Sequence, residues 1–494
     1  MNELNKMIIA RKNFFTTPVL LSLLFAIIYS LVSLPNHYFF RTATLDLGLY
    51  TNALFDYAHL KLADTSPFKE HSAILLSDHF DPILILFSPL SWLFKSWTLL
   101  LVQIMALVFG GQGVYRFLME RFSNRNISIT GMLVFYLHYS MFSALSFDYH
   151  SNVIAASMVP WFFLFLQKEE AKRFWLFFIL ILICKENMAL WLFFICLGSM
   201  FLFHKTTVKK QLFLMATISL FYFFTITAWL MPLLSNEQAY VQFKYSVLGS
   251  NFKEAFATII SEPVKIFKTL FINHSGRHFG DYTKAESWIF FLVSGGVFLL
   301  YRPIWLFMLI PIFLQKYLHN NISMWGVNDQ YSIEFAPIIA CGGMDAVSKI
   351  ERKKIQKIAS IGLLILTCAI TIRLMDRTSA RVPKTNVRLY QSAHWKSDLP
   401  LADIREMLSL IPEQAGVSSH SIIHPHVAWR DKAYMFPMLK DADYVCFIRK
   451  ANPYPLSMEE FLVLADKIET SPDVWELIFS KNDLRLFKRV NAVR

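Results

Sequence analysis

The sequence is poor in charge, because only 17% of its 494 residues are Asp, Glu, Lys or Arg, whereas soluble domains carry about a quarter. It also lacks paired cysteines: the five it has are scattered, and four lie in apolar runs, as is typical of small core residues. We find no P-loop, no GxGxxG sequence and no Ser/His/Asp nucleophile pattern. These absences argue against a soluble enzyme, a disulfide scaffold and a nucleotide-binding fold.

Apolar residues dominate what is present. The chain is 55% hydrophobic and 16% aromatic, with 47 phenylalanines and a mean hydropathy of +0.41. Many apolar runs approach membrane-spanning length, which predicts an all-α polytopic membrane protein. We predict about eleven spans, over residues 16–34, 98–117, 127–145, 151–167, 173–184, 187–203, 211–234, 287–301, 303–318, 332–346 and 356–374.

The net charge of +12 does not indicate a nucleic-acid partner. The lysines and arginines cluster in short loops between apolar runs, where they orient the chain, and no zinc-finger or RNP-like signature accompanies them. The basic N-terminus lacks a small-residue cleavage site, so we expect an uncleaved first helix with a cytoplasmic N-terminus.

The stretch HFDPILILFSPLSWLF, residues 79–94, decides the topology. It is about sixteen residues long, at the lower limit for crossing a bilayer, and contains two prolines. If it crossed, every later basic loop would lie outside the cell, against the positive-inside bias. We therefore expect it to lie along the membrane surface, so that residues 35–97 form a first outer loop with two interfacial helices.

This topology divides the chain into two predicted domains. Residues 1–374 form the transmembrane domain, with a large fourth outer loop at 235–286. Residues 375–494 alternate an amphipathic helix with strand-like pieces such as AYMFP and DYVCFI, which predicts a small extracytoplasmic α/β domain. With this topology, nearly all acids, histidines and polar clusters outside the basic loops are expected on the outer face of the membrane.

Asp46 follows the first span closely and shares a helical face with Tyr50, Ala53 and Tyr57. A helix cap or a solvated acid explains it simply, because Thr44 and Asp46 are both good N-cap residue types. A general base that takes a proton from an acceptor hydroxyl is the functional alternative.

His79 and Asp81 open the second interfacial helix, next to Asp78. Ordinary interfacial polarity is one interpretation. The other is that His79 and Asp81 hold a divalent cation or a phosphate-bearing head group. The histidines of SSHSIIHPHVAWR lack a zinc-type ligand set, so we predict packing for them and no metal site.

Two further clusters occupy the outer ends of short predicted helices: Asp148 and His150 in FDYHSN, and Lys185 and Glu186 in CKEN. Ionisable residues at such depth are candidates for substrate contact. A structural ion pair of Lys185 with Asp148 or Glu186 is the alternative, whereas a lysine that neutralises a phosphate leaving group is the functional interpretation.

The later outer segments add three candidates. Arg277 lies in INHSGRHFGDY, which reads either as a solvated loop or as a lid that brings arginine to a phosphate. Tyr331 and Glu334 lie in NDQYSIEFAP, where Glu334 is one turn inside a predicted span and either pairs structurally or contacts substrate.

The order of these features resembles the GT-C class of integral-membrane glycosyltransferases. More narrowly, LDLGLYTNALFD, HFDPILILFSPLSWLF, FDYHSN, CKEN and HPHVAWR…YMFP…ADYVCF resemble a bacterial family of predicted membrane proteins placed in that clan. The resemblance covers residues 1 to about 450. The sequence differs from oligosaccharyltransferases because it lacks a WWD-type motif. It differs from protein mannosyltransferases because His79 is followed by one proline and not two, with Asp81 between the histidine and the proline.

The resemblance implies a GT-C-like fold and a polyprenyl-phosphate-linked sugar as donor. It maps the expected base to Asp46, the opening of the second interfacial helix to His79 and Pro82, and the acid after the third span to Asp148. We therefore expect a multi-pass protein of the bacterial inner membrane that transfers a hexosyl or pentosyl group to a glycan, lipid or protein acceptor.

Two alternatives remain open at this point. A transporter of a lipid-linked or small solute would carry internal repeats and charges near the midplane, and neither is apparent. An envelope assembly module, anchored by its spans and recruiting a partner through its tail, would leave Asp46, Asp148, Lys185 and Glu334 without a role.

Overall fold

The computed structural model describes residues 2–379 and 384–490 and is predominantly helical. Within these ranges, five stretches are long and apolar enough to cross a membrane by length and composition: Thr16–Tyr38, Ile83–Phe122, Arg125–Leu145, Thr206–Leu234 and Lys353–Asp376. Glu186–Leu202 and Phe335–Ser348 are shorter apolar helices. The helical fold class is confirmed, and the count of about eleven spans stays a prediction.

The chain forms two compact units, each built from separate stretches of sequence. Unit 1 comprises Met1–Val32, Gln103–Leu230 and Tyr240–Arg388, and unit 2 comprises Ser33–Val102, Met231–Ala239 and Leu389–Arg494. The predicted outer loop 35–97 therefore shares a compact unit with the C-terminal tail.

Unit 1 is entirely helical in its regular structure within the described residues. Its helices, or the helices that enter it, are Asn2–Tyr38, Thr98–Phe122, Arg125–Leu137, Tyr139–Leu145, Ser151–Lys168, Ala171–Leu182, Glu186–Leu202, Thr206–Thr225, Phe252–Ser261, Pro263–Thr269, Thr283–Phe291, Val297–Leu299, Pro303–Phe307, Ile310–Leu318, Ile322–Trp325, Phe335–Ser348 and Lys353–Asp376. Ser151–Lys168 and Phe335–Ser348 are buried almost all round, as expected for central helices of a large bundle.

One buried charge network fixes an end of this bundle. Asp345 is fully buried and accepts hydrogen bonds from Nε of Arg302 at 2.9 Å and Nε1 of Trp305 at 3.0 Å. Arg121 Nε donates to its other oxygen at 3.3 Å. A buried carboxylate requires such partners, so this network ties three helical segments together.

Unit 2 contains a five-stranded sheet: β1 (Val417–Ser419), β2 (Ala433–Met435), β3 (Tyr444–Ile448), β4 (Trp475–Lys481) and β5 (Leu484–Arg489). The strand order is β2-β1-β3-β5-β4, with β1 parallel to β2 and β3, and with β5 antiparallel to β3 and β4. Both strands predicted from AYMFP and DYVCFI are present, which confirms the small C-terminal sheet.

The period-2 alternation of β3 divides the core of unit 2 into two layers. Cys446 and Ile448 face the helix Leu401–Ser409 through Ile404 and Met407. Val445 and Phe447, which point the other way, pack with Phe461 of the helix Met458–Glu469. The sheet is therefore covered on both faces.

The helices of unit 2 that precede the tail are short: Leu49–Ala58, Ile83–Phe87, Ser91–Phe94 and Met231–Leu234, with His424–Val427 within the tail. The stretch 79–94 does not form one continuous helix, because a 3-10 turn at Ser88–Leu90 interrupts it at Pro89, a residue that lacks an amide donor. Lys95, with φ 44°, then separates it from the helix Thr98–Phe122.

Candidate functional site

A small polar cavity lies within unit 1, and we call it the Lys316 cavity. Its volume is about 70 Å³, enough for about two water molecules or one small oxyanion. Its walls are formed by Asn152, Lys185, Asn187, Ile312, Gln315, Lys316, Met324, Gln330, Tyr331 and Glu334. Three of the residues predicted from the sequence, Lys185, Tyr331 and Glu334, therefore meet here.

Lys316 is a residue of this cavity that the sequence analysis did not predict. It is 2% exposed, and its Nζ donates to the carbonyl oxygens of Gly326 at 2.5 Å, Met324 at 2.9 Å and Tyr331 at 3.2 Å. A fourth contact, at 3.1 Å, is with Ser332 Oγ. The signal was a single lysine inside the apolar run 303–318, since a charge within a span is rare and usually functional.

Glu334 supplies the opposite charge in the same cavity. It is 4% exposed and accepts a hydrogen bond from Asn152 Nδ2 at 2.8 Å. Lys316 and Lys185 both interact electrostatically with this carboxylate. Two lysines and one glutamate line the cavity, so its basic side chains outnumber its acidic ones.

Amide groups complete the polar lining. Asn187 Nδ2 donates to Gln315 Oε1 at 3.0 Å. The side-chain oxygens of Asn152, Asn187 and Gln330 are buried and have no hydrogen-bond partner among the described residues. Because buried polar atoms are normally satisfied, these oxygens mark positions where a ligand hydroxyl or water would bind.

The remaining candidates of unit 1 are not among the residues that line this cavity. Tyr240 Oη donates to buried Glu186 at 3.4 Å. Gln103 holds the turn before Ser151–Lys168, because it donates to the Asp148 carbonyl at 2.8 Å and accepts from the His150 amide at 3.0 Å. Arg277 is exposed in the described loop.

Asp46 lies within unit 2, in the π-helical turn Thr44–Gly48 that opens Leu49–Ala58. The turn is held by Thr44 Oγ1, which donates to the Ser421 carbonyl at 3.2 Å. Gly48 packs so closely on His424 that a Cβ atom there would lie 2.4 Å from Nδ1. Asp46 itself is half-buried, so its carboxylate is positioned by the tail while remaining partly accessible.

Asp46 also acts on Tyr454, another residue of unit 2. The pKa of Tyr454 is raised, first by burial and then by the negative charge of Asp46. This interaction places a phenol in the electrostatic field of the expected base.

His79 and Asp81 precede the helix Ile83–Phe87 in the same unit. His79 is half-buried and Asp81 fully buried. Burial raises the pKa of Tyr57, and Asp81 and Asp56 raise it further. Tyr57 was expected to share a face with Asp46, and the structure adds Asp81 to its surroundings.

Asp56, another acid of unit 2, was not predicted as a functional residue from the sequence. Burial and the nearby Asp64 raise the pKa of Asp56 from 3.8 to about 7, while Lys61 opposes the shift and Asp431 adds to it. Lys61 is itself paired with Asp431. Within the described residues, no group of three or more His, Cys, Asp and Glu side chains is placed to hold a metal ion.

Comparison with known proteins identifies the fold and the family. No curated protein matches the sequence. Among solved structures, ArnT from Cupriavidus metallidurans, bound to undecaprenyl phosphate, matches with a TM-score of 0.51 at 10% identity. The match covers 96% of this chain and 98% of that chain. At this level of identity the match shows a shared fold, and it supports the GT-C-like fold expected from the sequence. The family model described as predicted membrane protein (DUF2079) matches residues 36–452, and the chain therefore belongs to the DUF2079 family of predicted membrane proteins.

Proposed function

We propose that this protein is a membrane glycosyltransferase that moves a sugar from a polyprenyl-phosphate donor to an envelope acceptor. The observation that carries the proposal is the likeness to ArnT over nearly the whole of both chains, because that relative is bound to undecaprenyl phosphate. The transfer takes place on the extracytoplasmic face of the inner membrane, where the tail 375–494 and the outer loops lie.

Asp46 is the proposed general base. Inverting transfer needs one carboxylate near the acceptor hydroxyl, in contrast to the two carboxylates of glycoside hydrolysis. Its half-buried position suits this role, since the base must be fixed and still reach the acceptor. The acceptor oxygen forms a bond to the anomeric carbon, Asp46 takes the acceptor proton, and the phosphate departs with the bonding electrons of the anomeric C–O bond.

The Lys316 cavity is the proposed contact for the departing phosphate. Developing negative charge on a leaving group is stabilised by fixed cations in a dry site, and Lys185 and Lys316 line this cavity together. Tyr331 and Glu334 are proposed to contact the same donor.

The remaining predicted residues complete the proposal as substrate contacts. We assign His79, Asp81, Asp148, His150 and Glu186 to the donor or acceptor surroundings. Arg277, on an exposed segment, closes over a phosphate when donor binds.

The experiment compares lipid-linked sugars and envelope glycans in a deletion strain complemented with wild type, Asp46→Asn or Asp473→Asn. Asp473 is an exposed acid of the same unit, so it controls for loss of a carboxylate. We expect Asp46→Asn alone to accumulate the donor and lose the glycan at normal protein level. Glycans that persist in Asp46→Asn refute the base, and an accumulating solute with unchanged glycans indicates a transporter.

A further inference from the structure

A second cavity of unit 1, which we call the Arg116 cavity, has no role in the proposed transfer. Its volume is about 470 Å³. Its walls include the cations Arg116, Lys168 and Arg173 and the aromatic side chains Tyr115 and Trp161, together with several apolar residues. The set combines cations and aromatic rings with an apolar side.

Aromatic rings hold the two arginines in place. The Arg116 guanidinium lies 5.1 Å from the centre of the Trp161 ring, and that of Arg173 lies 5.4 Å from the centre of Phe165. Such cation–π contacts orient the guanidinium groups, and Arg173 Nη1 also donates to Glu170 Oε2 at 2.6 Å. Arg116 makes no ion pair with an acid of the described chain.

The other charges leave the cavity with a positive excess. Lys168 lies 3.6 Å from Glu120, and Arg173 lies 2.6 Å from Glu170. The cavity is lined by three cations and one carboxylate, Glu120. Glu170 pairs with Arg173 from outside the lining, so Arg116 is the cation without an acidic partner among the described residues. This balance favours an anionic ligand.

A buried donor faces the same space. Tyr115 is 6% exposed, and its hydroxyl has no hydrogen-bond partner in the part of the chain that the structure describes. A buried hydroxyl without a partner is unfavourable, and a ligand oxygen in the cavity would supply the missing hydrogen bond.

The apolar side of the cavity indicates the kind of ligand. Val19, Met119, Leu164 and Phe165 line it, and Val19 lies in the candidate span Thr16–Tyr38 with 51% of its surface exposed. An apolar wall does not contribute to the binding of a soluble anion, whereas it can pack against the acyl chains of a lipid. We propose that the Arg116 cavity binds an anionic phospholipid, with its phosphate at Arg116, Arg173 and Tyr115 and its acyl chains along Val19 and Leu164.

The orientation predicted from the sequence puts this end of the bundle at the cytoplasmic leaflet. Basic pockets between spans on that side are suited to anionic head groups. The ligand is therefore a structural or regulatory lipid and is separate from the polyprenyl-phosphate donor of the proposed transfer.

The test is native mass spectrometry of the full-length protein in detergent, titrated with phosphatidylglycerol or phosphatidylcholine. We compare Arg116→Gln/Arg173→Gln with Lys209→Gln/Lys210→Gln, which removes the same charge from another basic segment. At about tenfold per 1.4 kcal/mol and about 1 kcal/mol per basic residue, the cavity variant should bind phosphatidylglycerol about 30-fold more weakly. The control variant should bind like wild type.

Tyr115→Phe provides a milder variant that keeps every charge, and a loss of about 3- to 10-fold is expected from one hydrogen bond. Equal binding of the two lipids would overturn the proposal, as would wild-type binding by both cavity variants. Displacement of phosphatidylglycerol by millimolar inorganic phosphate would assign the cavity to a soluble anion instead.

Discussion

Replacing Lys316 by methionine tests whether its buried ammonium holds unit 1 together. The substitution keeps the length and apolar stem of the side chain but removes the donor that contacts three carbonyl oxygens and Ser332 Oγ. It also deprives buried Glu334 of one of its cations. Removing one partner of a buried charge pair costs about 3–5 kcal/mol, and we expect a loss of that size.

The loss converts to a shift that thermal unfolding can resolve. Unfolding entropy is roughly 2 cal/mol/K per residue, which gives about 0.6 kcal/mol/K for the about 300 residues of unit 1. The midpoint should therefore fall by about 5–8 °C in detergent. Lys210→Met, at an exposed position, is the matched control and should move the midpoint by less than about 1 °C.

A double variant separates lost packing from lost charge pairing. Lys316→Met/Glu334→Gln no longer leaves a carboxylate beside a missing cation, so its loss should be smaller than the sum of the two single losses by about 1–3 kcal/mol. The reasoning is refuted if Lys316→Met unfolds at the wild-type temperature, or if the two losses simply add.

Three further predictions follow from other parts of the chain. The pKa of Asp56 is raised from 3.8 to about 7, so between these pH values the folded state holds a proton that the unfolded state has released. The free energy of unfolding therefore falls as pH rises through that window. Asp56→Asn should remove this fall, which is about 1–2 kcal/mol between pH 4 and pH 8 after a discount for partial exposure; a variant whose thermal unfolding keeps the wild-type pH profile contradicts this prediction. Gly48→Ala should destabilise unit 2 by about 1–3 kcal/mol, because its methyl group collides with His424; a wild-type unfolding midpoint argues against that packing. Lys185→Gln should lower kcat for transfer from the lipid-linked donor by about 10- to 100-fold, measured against Lys210→Gln in proteoliposomes, and equal rates would remove Lys185 from the phosphate site.

Local patterns predicted the class of the chain and the strands of its tail. Long apolar runs predict helices, because a helix satisfies the hydrogen-bonding groups of its own backbone inside a membrane. The alternation in DYVCFI predicts a strand, and it matches the two-layer core around β3. Both patterns lie within a few consecutive residues, so they can be recognised without knowing which distant residues are in contact.

The composition of the Lys316 cavity was only partly predictable. Lys185, Tyr331 and Glu334 stood out as polar residues near predicted helix ends, whereas Lys316 depends on carbonyl oxygens in the segment 324–331 that a sequence pattern does not place. The same limit applies to Asp56, since its pKa is raised mainly by burial and then by Asp64, with a smaller contribution from Asp431, which is far away in sequence. Contacts of this kind are set by tertiary packing and leave no periodic trace.

The discontinuous make-up of unit 2 has a consequence for biosynthesis. Phe40 belongs to the same core as Ile404 and Leu486, and the Met435 amide of β2 donates to the Pro67 carbonyl at 2.7 Å. These partners are synthesised several hundred residues apart, so the N-terminal segment of unit 2 cannot complete its packing until the C-terminal segment has been translated. A premature stop codon before residue 389 would leave the N-terminal segment of unit 2 with its apolar side chains exposed. We expect such a shortened product to be degraded by proteases.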